Sequence, residues 1–126
     1  MTIIFGLILL CHGIAHAVGF VGAWRIGTSV PYTTTILAGN LDVGDAGIRA
    51  LGLVWLALGL GFVVVAVAAF ARRYWWPVAA MLLAAASLLV CVLAWPQAQA
   101  GVALNTAILL AMFAAMRLGS FDLVTR

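Results

Sequence analysis

Lysine is absent from the 126 residues, and only three side chains are acidic, Asp42, Asp45 and Asp122. Charged residues of both signs make up 7% of the chain, where a soluble domain carries about 25%, so there is too little charge to cover a water-facing surface. Six arginines leave a formal charge of +3. That excess is too small for a nucleic-acid footprint, and no basic stripe or stacking platform accompanies it. No serine–histidine–acid arrangement, glycine-rich phosphate loop or paired-carboxylate site appears, which argues against hydrolytic and phosphoryl-transfer chemistry. Cysteine is equally scarce. Cys11 falls near mid-depth of its apolar run and Cys91 about four residues from the end of another, so their depths differ by roughly 12 Å, beyond disulfide reach. Both read as buried, small apolar residues, and no bridge is expected.

Apolar residues account for 67% of the chain. A helix crossing about 30 Å of hydrocarbon needs about 20 residues, and four such runs fill the sequence. The expected fold is all-α: an antiparallel four-helix transmembrane bundle forming one domain, with spans at 3–24, 46–70, 75–95 and 98–116. Trp24-Arg25, Arg72-Arg73 with Tyr74-Trp75-Trp76-Pro77, and Trp95-Pro96 mark the boundaries as aromatic or basic interfacial stops. The first run has small residues at Val21-Gly22-Ala23 that look like a cleavage site, but no basic residue precedes it and two histidines lie inside it, so it reads as a retained span. Arg72, Arg73, Arg117 and Arg126 fall at one face of this topology, which predicts both termini in the cytoplasm. The 25–45 segment is the one long outer loop, with Pro31 and Gly39-Asn40 as turn chemistry, and its length suits a lid or binding surface. Residues 117–126 form a cytoplasmic tail. The Gly52 and Gly59 spacing marks a face of the second helix suited to close contact with the first.

His12 and His16 are the only histidines, one helical turn apart inside the first span. Ionisable groups at bilayer depth are costly and default to a functional hypothesis. His16 lies roughly 12 Å below the outer boundary, Arg49 roughly 5 Å below it, and Asn105 of the fourth helix at similar or slightly greater depth. Three helices thus bring polarity to the outer half, predicting a polar pocket lined by His12, His16, Arg49 and Asn105. In it His16 and His12 would exchange protons while Arg49, with Asp42 and Asp45 closing from the loop, would bind ligand.

Plainer readings stand beside this one. The imidazoles serve as interhelical glue, bonded to Asn105 or Ser87; Arg49 snorkels to the headgroups and pairs with Asp45 four residues earlier. Two histidines one turn apart can share a metal face, but a tetrahedral zinc needs a third ligand and none is evident. A haem would need Met81, Met112 or a second subunit for its other axial position.

The segment Gly6-Leu7-Ile8-Leu9-Leu10-Cys11-His12-Gly13-Ile14-Ala15-His16-Ala17-Val18-Gly19-Phe20 resembles the opening helix of DoxX-like membrane proteins, in which an apolar run leads into His-Gly, a basic residue, and Gly with an aromatic. The resemblance implies a four-span layout and association with membrane redox complexes, including quinone-linked ones. On it, His12 would match the His-Gly position and His16 the basic one, where lysine is common. A quinone is then the first candidate ligand, ahead of haem or a metal. The expected role is a small membrane subunit that binds a quinone or other small ligand. Its rivals are a non-catalytic accessory subunit, bound to a membrane partner or a second copy, and an oligomeric solute channel or exporter.

Overall fold

The computed structural model describes residues 2–27 and 31–119. Thr28 in the outer loop, and Asp122 and Arg126 in the expected tail, lie outside the described residues. The elements run α1 (Thr2–Ala15), α2 (Ala17–Ala23), β1 (Thr35–Ile36), β2 (Leu41–Asp42), α3 (Gly44–Phe70), α4 (Trp76–Leu93) and α5 (Gln99–Arg117). Four helical segments, with α1 and α2 counted as one, are long and apolar enough to cross a membrane, close to the boundaries read from composition.

Local chemistry sets where these helices stop. After Ala23 and after Phe70 the chain closes in Schellman fashion: Ile26 N–H reaches Val21 O and Arg73 N–H reaches Ala68 O, both at 2.9 Å. The turn places Arg25 and Arg72 at left-handed φ of 54° and 50°, a position glycine usually fills. Pro77 starts α4, where its missing N–H costs nothing. Asp45 sits in the first turn of α3, and Asp42 Oδ1 accepts the Gly44 N–H at 2.9 Å just ahead of it.

The outer loop differs from expectation in carrying a hairpin. Thr35 pairs with Asp42 and Ile36 with Leu41 in an antiparallel register. Its tip turns through left-handed Leu37, Ala38 and Gly39. Leu37 N–H and Ala38 N–H then donate to Leu93 O and Trp95 O, each at 2.8 Å. Carbonyls left over at the end of α4 thereby gain partners, and the hairpin is fixed over that end of the bundle.

α3 lies against α1, α2 and α4, and α5 packs on α4. The α1–α3 contact is closest at Gly13 and Gly59, where a Cβ on either would come within 2.8 Å of the other's carbonyl oxygen. Gly52 likewise faces Ala23 and Trp24, so the expected glycine face of α3 does meet the first helical segment. A core of Leu9, Phe62, Val65, Ala66, Ala69, Trp76, Ala80, Ala84, Ile108 and Met112 fills one part of the molecule. The hairpin end is not filled in this way, and the cavity described below lies there.

Candidate functional site

The helix carrying the histidines breaks its regular pattern at His16. Its backbone N–H is shared between His12 O and Gly13 O, both at 3.2 Å, because the His16 ring also claims the His12 carbonyl, with Nδ1 at 2.9 Å. A side chain that competes with the backbone for one acceptor loosens the regular ladder. In return it holds the imidazole in one rotamer.

From this bond the proton positions of a four-residue network follow one by one. A carbonyl only accepts, so His16 Nδ1 carries the hydrogen, and Nε2 of the singly protonated ring is an acceptor. Ser87 Oγ, 2.8 Å from His16 Nε2, must donate to it. Ser87 in turn accepts from Asn105 Nδ2 at 2.8 Å. The other Asn105 Nδ2 hydrogen goes to Gly101 O at 2.9 Å, which fixes the amide orientation, since a flip would set two carbonyl oxygens against each other. Asn105 Oδ1 therefore faces His12 Nε2 at 3.0 Å as an acceptor, and the His12 hydrogen lies on Nε2. The two histidines hold opposite tautomers, and the network ties the α1–α2 junction to α4 and α5.

All four side chains are buried: His12 and His16 are 4% and 2% exposed, Ser87 and Asn105 not at all. The rings stand edge to face at 4.6 Å, with Phe62 against both and Trp55 5.1 Å from His16. One polar atom is left over. His12 Nδ1 has no hydrogen-bond partner among the described residues, although no fully enclosed side-chain nitrogen or oxygen there lacks one. Nδ1 thus meets open space, and the space that His12 borders is a cavity of about 430 Å³.

That cavity is walled by α2, the first half of α3, the α4–α5 junction and the hairpin strand, with Trp55, Leu51, Ile36 and Leu104 among its apolar surfaces and Tyr32, Thr33 and Gln97 among its few polar ones. It falls within the usual size range of small-molecule sites, about 300–1,000 Å³. Its wall is mostly apolar, whereas the arrangement of polar residues along the sequence suggested a polar pocket.

Of the six residues expected at the site, the structure brings together His12, His16 and Asn105, and sets the other three apart. Asn105 stands behind the imidazoles and not in the wall. Arg49 is exposed and outside the wall, its guanidinium 5.7 Å from the Trp24 ring, so it neither turns to the bundle axis nor pairs with Asp45. Asp45 pairs instead with Arg25 at 3.0 Å and accepts the Tyr32 hydroxyl, with Arg25 stacked 3.8 Å over the Tyr32 ring. Hydrogen bonding to Tyr32 above all, with the Asp45 charge adding to it, holds the exposed Arg25 guanidinium above its ordinary pKa. Asp42 is exposed and bonded to Gly44 N–H, a loop-ordering role away from the cavity. The long side chains fall outside because residues near helix ends reach solvent at little cost.

Cys91 is buried beside Asn105 Nδ2 at 3.6 Å, Cys11 is exposed on the opposite surface of its helix, and both thiols are free. Cys11 is thus not the interior residue expected. Among the described residues no cluster of three histidine, cysteine or acidic side chains could hold a metal ion. Met112, one candidate haem ligand, belongs to the hydrophobic core, and Met81 packs against it.

Trp55 and Tyr32, both in the cavity wall, were not among the expected site residues. Trp55 lies three residues after Gly52 and four before Gly59, hence on the glycine face of α3, and that spacing could have marked it. Ser87 and Asn105 were expected as imidazole partners and are so; that Ser87, the one hydroxyl in α4, also bonds Asn105 was not foreseen. Tyr32 left no comparable signal. Comparisons of the chain with protein-family models, with curated proteins and with solved structures return no match, so the geometry of this site carries the functional reading.

Proposed function

We propose that the chain is an integral membrane protein, an antiparallel bundle of four spans with both termini cytoplasmic, whose cavity binds a small, mainly apolar ring compound of the quinone–quinol class. The observation that carries this reading is the 430 Å³ apolar cavity with a single unsatisfied imidazole nitrogen on its wall. A ligand there would be held by apolar contact and oriented by one polar group, the usual division in such sites. His12 is the ligand-facing group. His16, with both ring nitrogens already engaged, positions it.

Two observations support the membrane placement. Large apolar side chains such as Leu60, Val64, Val67, Leu82, Leu89 and Leu110 lie more than half exposed on the helices, a surface suited to lipid. At the hairpin end Arg25 and Arg49 are balanced by Asp42 and Asp45, whereas Arg72, Arg73, Arg117 and Arg126, assigned by sequence to the other end, are set against Asp122 alone. That excess favours the cytoplasmic side for the latter. The likeness of the opening helix to DoxX-like proteins fits the same ligand class and a role beside a membrane redox partner.

The reading is tested with the full chain in lipid nanodiscs and a decyl-substituted benzoquinone, following quenching of tryptophan emission. Saturable quenching is expected, abolished in the cavity-filling variant Leu51→Phe/Ala94→Leu. Quenching that rises linearly with quinone, or that the variant leaves unchanged, refutes it. Labelling of Ala38→Cys from outside intact cells checks the orientation.

A further inference from the structure

Resting on the reading that the cavity holds a ring compound, we infer that it selects the hydroxyl-bearing form, a quinol or phenol, over the quinone, because the one imidazole nitrogen left without a partner at its wall, His12 Nδ1, is a bare acceptor. Each quinone oxygen is itself an acceptor, and directed at His12 Nδ1 it would set two lone pairs against each other. A hydroxyl supplies the missing hydrogen. No single rotation in the site reverses this preference. Moving the His12 proton to Nδ1 would leave Nε2 facing Asn105 Oδ1 at 3.0 Å with no hydrogen between them. Turning the amide to compensate would break the bond to Gly101 O and put Oδ1 against that carbonyl. Ser87 cannot release Asn105 either, since its own hydrogen is committed to His16. The backbone carbonyls of His12 and Gly101 therefore set the acceptor character of His12 Nδ1 through four side chains. Trp55 supplies an aromatic surface for a ring in the same wall.

With only two histidines in the chain, imidazole ¹⁵N NMR of histidine-labelled full-length protein in nanodiscs reads the site directly. The free protein is expected to show one ring protonated at Nε2 with Nδ1 bare, and the other in the opposite tautomer, assigned by the shift that Asn105→Leu causes at His12. Three decyl-substituted probes of one ring are then compared: the hydroquinone, the quinone and the hydroquinone dimethyl ether. The hydroquinone should move the bare His12 Nδ1 resonance upfield on saturation and bind about tenfold more tightly than either of the others, the ratio expected for one hydrogen bond gained against one acceptor left unpaired. The same tautomer on both rings, or His12 protonated at Nδ1, overturns the inference. So does equal or tighter binding of the quinone, which would leave the ligand class of the cavity standing. Failure of all three to bind overturns the inference together with the reading beneath it.

Discussion

Replacing Asn105 by leucine tests the histidine network most directly, because leucine keeps the branched shape of asparagine, with the same number of side-chain heavy atoms, and removes its hydrogen bonds. In the folded chain Asn105 is fully buried, accepts from His12 Nε2 at 3.0 Å and donates to Ser87 Oγ at 2.8 Å and Gly101 O at 2.9 Å. Gly101 O sits in α5, where the helical ladder still supplies it with a donor. Ser87 keeps its bond to His16. The main cost falls on the His12 N–H, and a buried donor left unpaired costs about 1–3 kcal/mol. His12 can lower that cost by moving its hydrogen to Nδ1, toward the cavity. Interhelical hydrogen bonds in membranes average about 0.6 kcal/mol and reach about 1.7, so a net loss of about 2 kcal/mol is expected for Asn105→Leu. Reversible unfolding in mixed micelles measures it, and repeating it in a His12→Phe background isolates the pair. There the cost of Asn105→Leu should fall by about 1 kcal/mol, since no donor is left stranded. A loss under about 0.5 kcal/mol, or equal losses in both backgrounds, would refute the network as drawn.

Other consequences are open to the same methods. Gly13→Ala and Gly59→Ala should each cost about 1–3 kcal/mol by overpacking, because the new methyl meets a backbone oxygen at 2.8 Å that cannot move aside. Gly61→Ala, whose methyl meets only the end of the Leu83 side chain at 3.0 Å, should be near neutral in the same melts. Asp45→Ala should change stability little, because exposed ion pairs contribute little, yet remove the acceptor of the Tyr32 hydroxyl at the cavity wall; a Tyr32 ring resonance that does not shift would count against this contact. The Asp42 carboxyl is held below its ordinary range mainly by the Gly44 N–H and also by Thr34. Its contribution to loop order is then complete above the unfolded carboxylate pKa and is lost only as pH falls through the lowered value. The Gly44 amide resonance should move only below that range; movement nearer neutrality would contradict the bond.

The amino-acid sequence alone determines that the described residues form four helical segments long and apolar enough to cross a membrane. Length, tryptophan and arginine stops and a proline start are local properties, and Pro77 lies at the start of its helix as read. It also places His16 roughly 12 Å and Asn105 about 5 Å from the same end of the helices, because rise per residue converts spacing into distance, but it does not foresee that Asn105 meets His12, one turn deeper than His16. Tertiary structure decides the rest, because angular position about a helix axis and long side-chain rotamers depend on which neighbours arrive. Arg49 has several rotatable bonds and a helix end nearby, so it lies by Trp24 and leaves the interior. His12 and His16 are buried, and each finds a side-chain partner on α4 or α5. Which histidine keeps an open nitrogen depends on two backbone carbonyls, of His12 and Gly101, whose directions only the assembled helices define.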